Sequence, residues 1–184
     1  MKKLLLHSCC GPCSTAVIDK LLKETDYLID VYYYNPNIHP EAEYIKRKGE
    51  QIKFIKLLNN DRVNFIDADY DPDNYFKLTN GLESEKEGGE RCSICFELRL
   101  SKTALYAKTN GYDIFGTTLT VSPHKNATVI NEIGQRISKT KGIDYLVADF
   151  KKQDGFKKSI TLAKDYGLYR QNYCACVYSN WNIK

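Results

Sequence analysis

Apolar positions along the chain switch repeatedly between a period of two and a period near 3.6, and the switches mark out alternating strands and helices. Lys3–His7 reads as a buried strand stopping at Ser8-Cys9-Cys10-Gly11. Pro12 follows where the first turn of a helix tolerates proline, and Val17, Ile18, Leu21 and Leu22 recur at helical spacing within Ser14–Glu24. Leu28–Tyr34 is a second strand closed by Asn35-Pro36-Asn37, and its run of tyrosines at 32–34 places rings on both sheet faces. A helix is predicted from Pro40 to Leu58, with Ile45, Ile52, Ile55 and Leu58 on one side. Val63–Ile66 is a third strand. The stretch from Asp67 to Glu90 reads as a short helix and a long loop, a length that suggests a functional loop or lid.

The second half repeats the alternation. Arg91–Asn110 is predicted helical and closed by Gly111, and Asp113–Thr117 is a strand. Ala127–Thr140 is a helix with Val129, Ile130, Ile133 and Ile137 on one face. Ile143–Ala148 is a strand, and Phe156–Tyr166 a basic helix ended by Gly167. Strand-helix alternation of this kind argues for an α/β fold with a mainly parallel sheet and helices on both faces, a Rossmann-like (HUP-like) three-layer arrangement. Ligands then gather at the carboxyl ends of the strands, where a metal site is expected. No repeat, low-complexity tract or linker divides residues 1–184, so one domain is expected.

Composition adds bounds. The chain is 42% hydrophobic and 27% charged, which excludes a disordered or collagen-like chain. Its longest apolar runs, such as Leu4–Leu6, are far too short for a membrane span or a signal-peptide core, so a cytoplasmic protein with reduced thiols is expected. The net charge of +4 is mild but uneven. Residues 67–90 hold eight acidic and two basic side chains, and residues 151–170 six basic and two acidic. The basic stretch suits a polyanion or, equally, a solvated helix face.

The seven cysteines fall into three clusters: Cys9, Cys10 and Cys13; Cys92 and Cys95; Cys174 and Cys176. Scattered buried thiols would not group so, and an odd number excludes a fully paired disulfide framework. Cys92 and Cys95 share a face at a helix start, and Cys9 and Cys10 occupy a turn leading into another. Four thiolates converging there can hold zinc or an iron–sulfur cluster. Cys174 and Cys176 can bind a metal or cycle as a strained dithiol. Cys10-Gly11-Pro12-Cys13 also spells a thioredoxin-type motif after a strand, so thiol exchange is a rival reading. Neither GxxxxGK[ST] nor GxGxxG occurs, so no phosphate-binding nucleotide motif is supported.

The chain resembles the epoxyqueuosine reductases of the QueH type. The matching runs are LLLHSCCGPCS at 4–14, YNPNIHP and EAEYIKRK at 34–48, GGERCSICFELRLSKTA at 88–104, FGTTLTVSPHKN at 115–126, and DFKKQDGFKKSITLAKDYGLYRQNYCACVYS at 149–179. Ala175 stands where the family more often has glycine. The resemblance implies two-electron reduction of epoxyqueuosine to queuosine at the wobble position of a tRNA anticodon, the oxygen leaving as water. It implies a [4Fe–4S] cluster on Cys9, Cys10, Cys92 and Cys95, and a redox-active pair in Cys174 and Cys176. Cys13 is a spare thiol or a ligand of an additional mononuclear iron. An electron donor is required, and nothing in the chain names it.

The remaining residues are weighed alike. Asp149 ends a strand where catalytic acids occur, or caps a turn. His124 is a candidate acid or phosphate contact, His7 a packed residue beside the thiols, and His39 a loop residue. Thr117 and Thr118 cap a turn or bind substrate. Lys151, Lys152, Lys157, Lys158 and Arg170 are the candidate tRNA phosphate contacts, with Tyr169 or Tyr173 stacking on an anticodon base.

Overall fold

A computed structural model describes residues 1–171, 173–174 and 176–182, except for the side chains of 180–182; Ala175 lies outside the described residues. Five parallel strands form one sheet in the order β3-β2-β1-β4-β5. They are β1 Lys3–His7, β2 Leu28–Tyr33, β3 Val63–Asp67, β4 Ile114–Thr117 and β5 Asp144–Tyr145. The helices are α1 Gly11–Glu24, α2 Glu41–Leu58, α3 Pro72–Thr79, α4 Glu90–Thr109, α5 Ala127–Lys141 and α6 Gly155–Asp165. This is the expected three-layer α/β arrangement. Among the described residues no helix is long and apolar enough to cross a membrane.

The period of two in β1 splits the core. Leu4 and Leu6 pack with Val17, Ile18 and Leu21 of α1 and Phe54 of α2 on one face. Leu5 packs on the other with Phe96 and Leu100 of α4 and Ile130 and Ile133 of α5. Tyr32 and Tyr34 join that second core while Tyr33 packs in a separate cluster with Ile38 and Tyr44, as strand alternation requires. The sheet order reverses at β1, whose carboxyl end and that of β4 flank the crevice where such folds bind ligands. Gly11 permits α1 to start there, because a Cβ would stand 2.7 Å from the Glu50 carbonyl oxygen of α2.

Two local expectations are corrected. The buried side of α2 is Tyr44, Arg47, Gln51 and Phe54, whereas Ile45 is 57% exposed. Arg47 is buried because its Nε donates to Glu43 Oε1 at 2.6 Å, and Gln51 because its Oε1 accepts from Ser8 and Ser14, each at 2.7 Å. Hydrogen-bonded polar groups can go inside, here even with Gln51 Nε2 left without a partner among the described residues, so hydrophobicity alone misassigns this face. β5 spans two residues rather than six. It is an edge strand beside the short β4, and the chain past Leu146 leaves the sheet, with Val147 52% exposed.

Candidate functional site

The turn from β1 to α1 carries the first thiols. Asn35 Nδ2 donates to the Ser8 carbonyl at 2.8 Å, and Gln51 gathers the Ser8 and Ser14 hydroxyls, so the backbone of the turn is pinned from two sides. Cys10 is the N-cap of α1 and Cys13 lies in its first turn, at the end where peptide N–H groups favour anionic sulfur. The Sγ atoms of Cys9, Cys10 and Cys13 all lie within 4.8 Å of one another, and Cys9 and Cys10 are 3.9 Å apart. The three behave as one acid. Hydrogen bonds from the Cys10 and Cys13 thiols, with Lys125 and Arg99 nearby, hold Cys9 well below the ordinary thiol range. Contact with Cys13 favours the Cys10 thiolate, but the bond to Cys9, burial and the Cys9 charge outweigh it and push Cys10 to about 12. Cys13 is raised by its hydrogen bonds to Cys10 and Cys9 and by burial. Of the three sulfurs, Cys9 is therefore the one whose thiolate the turn favours.

The second thiol wall comes from far along the chain. Cys92 lies in the first turn of α4, where its Sγ accepts the Gly88 N–H at 3.2 Å, and Cys95 follows one turn later. Burial raises Cys92 and pushes Cys95 to about 12. Cys174 and Cys176 face them across a cavity of about 70 Å³ also walled by Tyr75, whose hydroxyl is 2.9 Å from Cys176 Sγ. A larger cavity of about 400 Å³ adjoins it and is lined by Cys9, Cys13 and Cys174 among others. Glu87, Arg99, His124, Lys125 and Cys174 wall both cavities, so all three cysteine clusters meet at one place in the fold. Glu87 and Gly88 belong to the long loop before α4, which supplies part of the wall. All seven thiols are free.

Between the two thiol groups stands Arg99, 2% exposed. Its protein hydrogen bonds go to the Cys95 carbonyl at 3.3 Å and Asn35 Oδ1 at 3.5 Å, and no carboxylate pairs with it among the described residues. Burial opposes its charge, but the sulfurs of Cys95, Cys9 and Cys174 more than offset this. Lys125 is alike: burial lowers it, and Cys174, Cys9 and Cys13 hold it above its ordinary value. A buried guanidinium without a carboxylate is costly unless an anion is built beside it. Here the nearby sulfurs are the chief candidates, and Glu87 is the one carboxylate among the described residues that walls the same cavities. Arg99 was not anticipated from the sequence, although Cys92, Cys95 and Arg99 lie on one helical face at i, i+3 and i+7.

The other expected residues are placed as follows. His124 lines both cavities. Arg170 and Tyr173 line the larger one, with the Arg170 guanidinium over the Phe156 ring at 5.0 Å. Asp149 lies outside both walls, its Oδ1 buried without a hydrogen-bond partner. Lys151 donates to the Lys125 carbonyl at 2.6 Å, and Lys158 pairs with Asp19 at 2.5 Å. Lys152 and Lys157 are exposed on the surface. Tyr169 carries the Lys46 ammonium over its ring at 3.3 Å. His7 is buried and neutral, lowered to about 3 by burial and Arg99, and bonds Thr117 Oγ1 at 3.1 Å and the Tyr34 carbonyl at 3.0 Å. His39 packs edge-on against Phe76, and Thr118 Oγ1 is buried without a partner.

The donor set suits a metal. A tetrahedral thiolate site with metal–sulfur bonds of about 2.3 Å spaces its sulfurs about 3.8 Å apart. The Cys9–Cys10 separation of 3.9 Å matches that edge, and the flanking cations compensate the charge left when the thiols lose their protons.

Comparison with known proteins gives a consistent result. The family model described as epoxyqueuosine reductase QueH matches residues 4–182. The chain is 44% identical over 182 residues to an epoxyqueuosine reductase QueH of Staphylococcus epidermidis, covering 96% of this chain and 76% of that one. It is 44% identical over 179 residues to the Streptococcus pyogenes protein of the same description, covering 96% and 69%. A Thermotoga maritima relative is 34% identical over 182 residues, covering 97% and 91%. Among solved structures, one described as a predicted subunit of tRNA methyltransferase from Methanocaldococcus jannaschii superposes with a TM-score of 0.53 at 17% identity, covering 88% of this chain and 76% of that one, a likeness of fold.

Proposed function

The chain belongs to the epoxyqueuosine reductase QueH family, and from this premise we propose that the thiol-walled double cavity is where epoxyqueuosine loses its epoxide oxygen. The family reaction reduces epoxyqueuosine in queuosine biosynthesis. Two electrons and two protons convert the epoxide to an alkene and water. The observation that carries the assignment is the meeting of three cysteine clusters, from residues 9–13, 92–95 and 174–176, around a buried arginine that has no carboxylate.

Cys9, Cys10, Cys92 and Cys95 would hold a [4Fe–4S] centre in this reading, and the closeness of Cys9, Cys10 and Cys13, which is that of ligands on one metal ion, supports an additional iron at that corner. Such groups supply single electrons and a Lewis acid. The chain's own residues do the rest. Arg99 and Lys125 compensate the thiolate charge and so hold the site together electrostatically. Cys174 and Cys176, on closing to a disulfide, release two electrons and two protons, the amount the epoxide consumes; an external donor then restores the dithiol. His124 is the proton donor for the departing oxygen, because it lines the cavity and Asp149 does not.

The substrate nucleoside enters from a tRNA anticodon loop, swung out of its stack as single-stranded RNA recognition requires. Arg170 and Tyr173 in the cavity wall meet it, with Lys152 and Lys157 outside as phosphate contacts and Lys151, Lys158 and Tyr169 supporting them. Because the clusters come from both halves of the chain, residues 1–184 work as one unit in this reading.

Anaerobically purified protein and its Cys92→Ala variant test the assignment. Iron, acid-labile sulfide and epoxyqueuosine reduction should be present together in the first and lost together in the second. Reduction that survives loss of the cluster would sink the assignment. A colourless, zinc-containing protein that binds tRNA without turnover would favour a binding module.

A further inference from the structure

We propose that Asn37 reads the hydroxyl groups on the cyclopentane ring of the substrate, with Gln171 as a second acceptor in the same cavity. This rests on the cavity of about 400 Å³ being the epoxyqueuosine site. Two asparagines, Asn35 and Asn37, follow β2, and they differ in one respect. Asn35 is satisfied: its Nδ2 donates to the Ser8 carbonyl at 2.8 Å and its Oδ1 accepts from Arg99 at 3.5 Å. Asn37 is 4% exposed, lines the cavity, and its Oδ1 is buried without any hydrogen-bond partner. Gln171 lines the same cavity, and its Oε1 is likewise buried and without a partner among the described residues.

Buried polar atoms are almost always paired, so two vacant amide acceptors in one cavity point to a ligand that brings donors. The charged groups around them are chiefly cations, Arg47, Arg99, Lys125 and Arg170, with Glu87 the one acid. Those cations suit phosphate. The neutral amide oxygens suit neutral O–H donors, and the epoxide-bearing ring carries two hydroxyls. A site built to bond a hydroxyl rejects the analogue that lacks it, because its own acceptors then stay unpaired. Asn37 is therefore a specificity residue, not a proton carrier.

The test uses three anticodon stem–loops that differ only in the wobble nucleoside: queuosine, with the hydroxylated ring; 7-aminomethyl-7-deazaguanosine, with the amine but no ring; and guanosine. The protein should prefer the first over the second by about tenfold. Asn37→Ala and Gln171→Ala should each erase most of that preference and leave guanosine binding unchanged. Asn37→Ala should also melt at or above the parent temperature, because it removes an unpaired acceptor, whereas Asn35→Ala should melt lower. Equal weakening toward all three RNAs, an unmoved preference, or a lowered Tm for Asn37→Ala would overturn the inference. Gln171→Ala, at a half-buried position, tests the same preference independently of the Asn37 site. Turnover of epoxyqueuosine by the parent protein is scored separately: its absence with the preference intact strikes the proposed activity, and its presence with the preference unmoved strikes Asn37 alone.

Discussion

The two thiol regions are built by opposite means. Cys9, Cys10 and Cys13 lie within five consecutive residues, on a turn that a strand end, a helix start and Gln51 hold in place. Their spacing is already that of a metal site, and one of them is already the preferred thiolate. Cys92, Cys95, Cys174 and Cys176 are brought together from α4 and from a segment about eighty residues later, and burial raises Cys92 and Cys95. The first region is preorganised for a cation. In the second, burial favours the neutral thiols of Cys92 and Cys95, which a metal must deprotonate to bind. Local chain geometry makes a turn that could bind a metal, and tertiary packing brings the other thiols to the cavities beside it.

The largest expected effect breaks the second region alone. In a Cys92→Ala/Cys95→Ala protein, iron–sulfur absorbance and activity should vanish. The turn should nonetheless bind one Co2+ per chain, read by its thiolate charge-transfer band, and that band should disappear in Cys9→Ser. No Co2+ band in the double variant would mean that the turn is not preorganised. Next, His124 walls both cavities, and His124→Gln should lower kcat by about 10²–10⁴ with iron content unchanged. A loss confined to KM would remove it from proton transfer.

Arg99 separates the two forms by size of effect. In the metal-loaded protein, Arg99→Leu leaves buried thiolate charge uncompensated and should cost about 3–5 kcal/mol in denaturant unfolding. In the metal-free protein the same change removes a cation near Cys9 and the donor to the Cys95 carbonyl and Asn35 Oδ1, and should cost clearly less. A similar loss in both forms would make Arg99 an ordinary packing residue.

Smaller effects concern the surroundings of the turn. Lys152→Gln and Lys157→Gln should each lower the log–log salt slope of tRNA binding by about 0.7, and Lys158→Gln by less, since Lys158 is engaged by Asp19. Unchanged slopes would assign both exposed lysines to an idle surface. The smallest is the Asp19–Lys158 tie between α1, which carries Cys13, and α6. Burial works against the Asp19 carboxylate, but Lys158 and Lys23 outweigh it and lower its value. Its stabilisation is therefore present above the unfolded carboxylate value and is lost as pH falls through the folded one. Asp19→Asn should lower stability by under about 1 kcal/mol at neutral pH and leave it unchanged well below the folded carboxylate value, so that the acid transition flattens. A steeper acid transition in the variant would contradict the direction.

Most of the fold is legible from periodicity. The five strands and six helices fall where alternation and helical spacing put them, because each buries one face against a sheet. The exceptions are instructive. The buried side of α2 escapes such reading because Arg47 and Gln51 go inside to serve hydrogen bonds that exist only after folding. At the site, seven cysteines in three clusters announce sulfur chemistry unaided, and the helix starts at Cys10 and Cys92 are equally plain. Arg99, Lys125 and Asn37 are ordinary residues in the written chain, distinguished only by what surrounds them.

Amino-acid order alone shows how the thiols cluster, and which turns present them, since both depend on neighbours a few positions apart. Folding decided that those clusters share one pair of cavities, that a lone guanidinium sits between them, and that one asparagine is satisfied while its neighbour is left open. These are matters of distance and desolvation between segments remote in the chain, and no local pattern encodes them.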